Sequence, residues 1–176
     1  MTDSFLYTLP TDPIARPLVE QLTDEYQTRY GNYFGEPATA EMNRYPPERF
    51  AAPDGAFVLL LRDGRPIAGG AFMRYDAVTA EFKRVWTDRE HRRQGLARRV
   101  LDELEARAVR QGYSRVYLTT GFRQPEARHL YLNTGYTALF DLDADPESIQ
   151  ILAFEKSLLP APAVSGARNG DALTAP

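Results

Sequence analysis

From Phe5 to Leu9 apolar and polar positions alternate weakly until Pro10 and Pro13 stop the run, which predicts a short first strand. Ile14, Leu18, Leu22, Tyr26 and Tyr30 then recur every four residues, the spacing of one helix face. Asp12 stands at the N-cap, Pro13 at the first helical position, and Gly31 ends the pattern. Asn32 to Pro53, broken by Gly35, Pro37, Pro46 and Pro47, reads as a long loop with a helical turn near Pro47 to Phe50. Structureless stretches of that length in a compact domain tend to be binding loops.

A continuous apolar run, Ala56 to Leu61, is followed by Asp63-Gly64, so strands at 56–61 and 66–75 should form a hairpin. Gly69 and Gly70 interrupt the second strand and suggest a bulge or a close approach. Glu81 to Thr87 reads as a third strand. Strict alternation would put Glu81, Lys83, Val85 and Thr87 on one face and Phe82, Arg84 and Trp86 on the other. Leu96, Val100, Leu104 and Ala108, with Ala97 and Leu101 beside them, form the apolar stripe of a long helix capped by Gly112. A buried strand, Ser114 to Thr119, completes a strand–helix–strand crossover. Pro125 to Asn133 is a second helix ended by Thr134-Gly135, and Tyr136 to Asp141 and Ile149 to Lys156 are a closing strand pair. Residues 1–157 thus read as one domain. Rich in Ala, Pro and Gly, 158–176 read as a disordered C-terminal tail.

Composition narrows the class. With 176 residues, 43% hydrophobic and 26% charged, the chain can bury one real core. The absence of cysteine excludes disulfides and thiolate metal sites, and no metal is expected. A polar segment follows Met1 and the apolar runs are too short to span a bilayer, so the expectation is a soluble cytoplasmic protein. A net charge of −3 argues against a general nucleic-acid binder, yet seven of the 21 Lys and Arg fall between Lys83 and Arg99. Such a local patch suits a small polyanion. His91 and His129, flanked by Arg, read as solvated side chains.

Arg89 to Arg99 joins the third strand to the long helix. Free amides at a helix start, favoured by the helix dipole and ringed by Arg, form a seat for phosphate. The phosphate loop Gly-x-x-x-x-Gly-Lys, Gly-x-Gly-x-x-Gly, His-Glu-x-x-His and Gly-x-Ser-x-Gly are all missing. What remains is Arg92-Arg93-Gln94-Gly95-Leu96-Ala97, which resembles the acyl-CoA pyrophosphate loop of the GNAT superfamily of N-acetyltransferases, Gln/Arg-x-x-Gly-x-Gly/Ala. Ala127-Arg128-His129-Leu130-Tyr131 with Gly135-Tyr136 is similar to that family's Ala-x-x-Leu-Tyr-x-x-x-Gly-Phe/Tyr signature, and Phe57 to Thr87 resembles its three-strand meander. The likeness covers about Phe57 to Phe154.

The resemblance implies an α/β (α+β) fold with a mixed, mostly antiparallel central sheet flanked by helices, whose central strands, Glu81 to Thr87 and Ser114 to Thr119, splay to admit acetyl-CoA. It implies that Arg92, Arg93, Gln94, Gly95, Leu96, Ala97 and Arg98 hold the pyrophosphate and that Val85, Trp86 and Thr87 meet the pantetheine arm. Acetylating an amine requires a neutral nitrogen, so a carboxylate must take a proton from an ammonium of pKa about 10.4 if it is lysine-like. Glu81 is the candidate base, the alternative being an ion pair with Lys83 or Arg84. A backbone amide near Val85 or Trp86 would stabilise the oxyanion. Tyr131 matches the family's acid, which protonates the departing thiolate, and is preferred to Tyr136. Gln124 replaces the family's usual Asn, and Thr119 to Gly121 supply hydroxyls and backbone that could touch pantetheine or substrate.

The function implied is transfer of an acetyl group from acetyl-CoA to a primary amine of a small molecule or amino acid, directly, since no Cys is present and no Ser is placed as nucleophile. A non-catalytic acyl-CoA sensor is one rival. A nucleic-acid module using the basic helix start is another. Tyr30, Tyr33, Phe34, Tyr45, Glu25 and Glu36 belong to the segment that should roof the site and hint at a cationic or aromatic amine. A homodimer is common in the family.

Overall fold

The computed structural model describes residues 1–159; the expected tail, beyond Leu158 and Leu159, lies outside the described residues. Seven strands form one sheet in the order β1-β2-β3-β4-β5-β7-β6. They are β1 (Asp3–Tyr7), β2 (Ala56–Arg62), β3 (Arg65–Arg74), β4 (Thr79–Thr87), β5 (Arg115–Gly121), β6 (Thr137–Ala138) and β7 (Ile151–Ser157). Every neighbouring pair is antiparallel except β4 and β5, which the crossover helix α3 (Leu96–Arg110) makes parallel. This is the mixed α/β arrangement the sequence implied.

Two helices cover opposite faces. The α3 stripe of Leu96, Val100, Leu101, Leu104 and Ala108 is buried against Val58, Leu60, Phe72 and Phe82. Each of these larger side chains contributes roughly 1.5–3 kcal/mol by leaving water. On the other face α1 (Arg16–Tyr30) follows a 3-10 turn at Pro13–Ala15, whose cap is Asp12 accepting from the Ile14 amide. Of its apolar positions only Leu18 and Tyr30 are buried; Leu22, Tyr26 and Tyr30 also line a cleft. Their four-residue spacing therefore reports a cleft wall as much as a core.

Several boundaries differ from expectation. β1 begins two residues earlier than the alternation suggested, because Asp3 pairs with Arg62 across the sheet edge. The loop after α1 contains a short helix, α2 (Ala38–Met42), besides the 3-10 turn at Pro47–Phe50. The closing strand pair is shorter than predicted: β6 keeps two residues, and α5 (Pro146–Ile149), capped by Asp145, occupies the approach to β7. Short α4 (Pro125–Asn133) matches its predicted bounds.

The larger correction lies in β4. Its register with β3 shifts between Gly69 and Ala71, and Arg84 adopts a left-handed backbone with φ 61°. An extra residue in one strand turns every later side chain over. Glu81 and Lys83 pair with Met73 and Ala71 on the α1 face, while Val85 meets Gly70 on the α3 face and Trp86 returns to the α1 face with Leu18 and Phe57. The single face proposed for Glu81, Lys83, Val85 and Thr87 is therefore wrong, as is the pairing of Phe82 with Trp86. The two glycines of β3 leave the room this needs: a Cβ on Gly70 would press on Leu104 and Val100, and one on Gly69 on the Val58 carbonyl and Leu18.

Candidate active site

Pairing between β4 and β5 runs from Thr79–Arg115 to Phe82–Leu118 and ends there, although β4 continues to Thr87 and β5 to Gly121. Beyond that apex the strands part, and each presents backbone N–H and C=O groups to the gap, an unpaired sheet edge inside the molecule. A cleft of about 580 Å³ occupies the opening. Glu81, Val85, Thr119, Gln124 and Tyr131 all line it. Five of the residues singled out from sequence thus converge from two strands and α4.

Glu81 projects from the α1 face beside Tyr117, its register partner on β5. Its carboxylate lies 3.3 Å from Lys83 Nζ, and both side chains are 13% exposed. The Lys83 ammonium also sits 4.8 Å from the centre of the Tyr45 ring, a cation–π contact. Arg84, the bulge residue, turns to α2, where it donates to the Glu41 carbonyl at 2.9 Å and approaches the Glu41 carboxylate at 3.6 Å. Burial holds its guanidinium below the usual arginine range, against the pull of Glu41.

Tyr131 comes from α4 on the other side. Its ring is packed between Tyr136 and Phe154, each with centroids 5.5 Å away. The hydroxyl hydrogen-bonds no described residue, and no sealed side-chain oxygen or nitrogen among the described residues lacks a partner, so the hydroxyl opens onto the cleft. Burial alone pushes its ionisation well above the ordinary phenol value, which keeps it protonated. Tyr136 is different: its hydroxyl is occupied by Glu105 at 3.2 Å, and burial followed by that carboxylate raises it further.

Gln124 is largely engaged. Its carbonyl oxygen accepts from the Tyr30 hydroxyl at 3.0 Å and from the Gly121 amide at 3.1 Å, leaving the amide nitrogen for the cleft. Tyr30 accepts in turn from the Arg123 amide at 3.2 Å. The end of β5 is thereby tied to α1. Thr119, Thr120 and Gly121 lie along the same wall, Thr120 buried and the residues on either side of it half-buried.

The basic loop does not line this cleft; it begins where β4 leaves it. Asp88 and a 3-10 turn at Arg89–His91 lead to Arg93 and Gly95, both left-handed with φ 63° and 73°. Gly95 is the N-cap of α3 and offers no side-chain hydrogen bond, so the first-turn amides of Leu96, Ala97 and Arg98 carry no cap. Open space surrounds the position of a Cβ on Gly95. The side chain of Leu96 is buried in the core, and that of Trp86 is buried on the α1 face, so only their backbones are available to a ligand. Gln94 accepts from Arg62 at 2.9 Å and points to β2. Thr87 is half-buried at the strand end.

Neighbouring carboxylates answer most of the charge patch. Lys83 faces Glu81, Arg84 Glu41, Arg89 Asp24, Arg92 Glu25 and Arg99 Asp3; among the described residues Arg93 and Arg98 make no ion pair. The anion seat therefore rests on two guanidinium groups and the helix start. His91 is not simply solvated, because its Nδ1 lies 2.7 Å from Asp88. Partial burial opposes the charge on Asp88, but hydrogen bonds from Gln21, His91 and the Glu90 amide outweigh it and hold the carboxyl below its usual value.

Gln21 escaped the sequence reading. From α1 it donates to Asp88 at 2.6 Å and accepts from Trp86 Nε1 at 3.0 Å and from the Arg89 amide at 3.2 Å. One carboxamide thus locks the end of β4 to the loop that follows. Nothing in its local sequence separates it from any exposed helix glutamine. Of the predicted roof, Tyr30, Phe34, Tyr45, Glu25 and Glu36 line the cleft, whereas Tyr33 packs behind Phe34 and Phe122 and accepts from Gln150.

The described residues include no helix long and apolar enough to cross a membrane. No curated protein sequence matches the chain. Among solved structures it resembles a Klebsiella pneumoniae protein assigned as an acyl-CoA N-acyltransferase, with 25% identity, a TM-score of 0.68, and 90% of this chain and 99% of that one covered. It is also similar to the PaiA N-acetyltransferase of Thermoplasma acidophilum in complex with coenzyme A, at 17% identity and a TM-score of 0.66 over 89% of this chain and 99% of that one. YncA of Salmonella typhimurium with acetyl-CoA aligns at 13% identity and a TM-score of 0.64, covering 94% and 99% of the two chains. The model of the acetyltransferase (GNAT) family matches residues 19–136, which include most of α1, the meander, the basic loop, α3, β5 and α4. The chain therefore belongs to the GNAT family of acetyltransferases.

Proposed function

We propose that this acyltransferase moves the acetyl group of acetyl-CoA to a primary amine of a small molecule or amino acid by direct transfer. The observation that carries the reading is the parting of β4 and β5 after Phe82 and Leu118, with Glu81 and Tyr131 both lining the opening. The pyrophosphate would rest on the amides of Leu96, Ala97 and Arg98 beside Arg93 and Arg98. Arg92, Gln94, Gly95 and Thr87 frame that seat. The pantetheine arm would run along the open edge of β4 from Thr87 past Trp86 and Val85, with Thr119 and Gln124 across the gap.

The amine enters from the α1 side, where Glu81, Tyr45, Tyr26 and Phe34 provide a carboxylate and aromatic surface. Glu81 takes its proton, directly or through water, and the neutral nitrogen attacks the thioester carbonyl. The amide at the β4 bulge, near Val85, receives the developing oxyanion. Tyr131, kept protonated by burial, gives its proton to the departing thiolate. A panel of amines assayed by thiol release from acetyl-CoA tests the reading. Acetyl-CoA binding without turnover of any amine would favour the sensor instead.

A further inference from the structure

Only two of the 21 basic residues of this chain are lysines, Lys83 and Lys156. The rest are arginines, whose guanidinium groups stay charged and are poor acyl acceptors. One of the two lysines lines the cleft: Lys83 is the first residue of β4 beyond the last β4–β5 pair, at the apex where the strands begin to part. Its ammonium lies 3.3 Å from Glu81 and over the Tyr45 ring. A carboxylate and an aromatic face are the surroundings proposed above for an incoming amine. Lys156 is held elsewhere, paired with Glu105 at 2.6 Å and donating to the Thr134 carbonyl at 2.9 Å.

We propose that Lys83 is itself an acetyl acceptor, so that the protein acetylates its own cleft lysine when acetyl-CoA is bound. This rests on the reading of the cleft as an acetyl-CoA site. Glu81 takes one proton from the Lys83 ammonium, and the neutral Nζ attacks the thioester carbonyl carbon. An N–C bond forms, the C–S bond breaks, and the nitrogen sheds its second proton. Coenzyme A leaves as a thiolate that is protonated to the thiol, so that one proton is released to solvent for each amide formed. The product has no charge at Nζ. Glu81 then loses its ion-pair partner and faces the cleft alone, ready for an external ammonium. Self-acetylation would therefore clear the amine site.

The two lysines make the test internally controlled. Purified full-length protein is incubated with acetyl-CoA and no added amine, and intact mass and peptide mapping follow acetyl incorporation at each lysine. The side chain of Lys83 is 13% exposed and that of Lys156 25%, so uncatalysed chemistry should label Lys156 at least as fast. The expected result is one acetyl group on Lys83, lost in Lys83→Arg. In Glu81→Gln the rate at Lys83 falls on the order of 100-fold, with the slow rate at Lys156 unchanged. Thermal unfolding verifies that both variants are folded. A protein that binds acetyl-CoA and acetylates free amines while Lys83 remains unmodified, or is labelled no faster than Lys156, overturns self-acetylation and leaves the transferase reading intact. Absence of acetyl-CoA binding overturns both.

Discussion

Glu81 and Val85, four residues apart on one strand, face opposite sides of the sheet. The left-handed Arg84 between them shifts the register. The carboxylate consequently stands on the α1 side of the cleft, while the strand that carries it offers its open edge to a ligand beyond Phe82. Glu81→Gln should keep the fold, since it removes half of one ion pair, and should lower kcat/KM for the best amine on the order of 100-fold. Steady-state thiol release with a parallel acetyl-CoA binding titration checks this, and unchanged turnover would remove the base assignment.

Tyr131→Phe deletes a hydroxyl that bonds no described residue while preserving the buried ring. Its effect on stability should stay within about 1 kcal/mol, and kcat should fall roughly 10- to 1,000-fold because the thiolate loses its proton donor. Burial raises the ionisation of this phenol, so the alkaline limb of the parent profile should owe nothing to Tyr131 between neutral pH and pH 10. Chemical denaturation and a kcat profile over pH together separate the catalytic role from a packing role.

The seat at the start of α3 predicts charge sensitivity. Gly95→Asp puts a carboxylate among uncapped amides and strains a left-handed position, and Arg93→Glu reverses one of the two guanidinium groups of the patch that pair with no carboxylate among the described residues. Together they should weaken coenzyme A binding by at least about tenfold, given dipole and charge effects of about 1 kcal/mol each. Calorimetric titration with coenzyme A, and with dephosphorylated pantetheine as a control that should lose little, reads the difference.

Asp3 gives a pH signature. Hydrogen bonds from Arg62, then Arg99, hold its carboxyl far below the usual carboxylate range. Because the folded-state value is depressed, the stabilisation is fully present above the unfolded value, about 3.9, and is lost as pH falls through the folded one. Asp3→Asn should lower Tm at neutral pH, and the gap from the parent should narrow as the solution is acidified below pH ~4. Parallel thermal melts from pH 7 to pH 2 follow it.

Gly121→Ala tests the tie between α1 and β5. A Cβ there would collide with the Tyr30 hydroxyl and crowd Gln124. Overpacking should cost about 1–3 kcal/mol. Tyr30→Phe in the same background removes the obstructing oxygen and should return part of that loss in a denaturation series.

Much of the fold was legible in local pattern. The α3 stripe from Leu96 to Ala108, the Asp63-Gly64 hairpin and the Asp12 cap are specified by residues close together in sequence, as is the short α4 with Tyr131 on its buried side. These features depend on backbone periodicity and capping, so a single segment contains the information. The basic loop and the Leu-Tyr helix likewise point to the family from sequence alone.

Tertiary structure decided the rest. Alternation fixes faces only while the ladder is regular, and the bulge at Arg84 depends on the room that Gly69 and Gly70 leave in a neighbouring strand. Whether an arginine is free to hold phosphate depends on carboxylates brought from α1, α2 and β1, which among the described residues leave Arg93 and Arg98 out of a run of seven basic residues. Gln21 acquires a role only because α1 lies across the end of β4. The sequence by itself determined the elements and the chemistry they could bear; long-range packing determined which side of the sheet each functional group faces, and which charges remain unpaired.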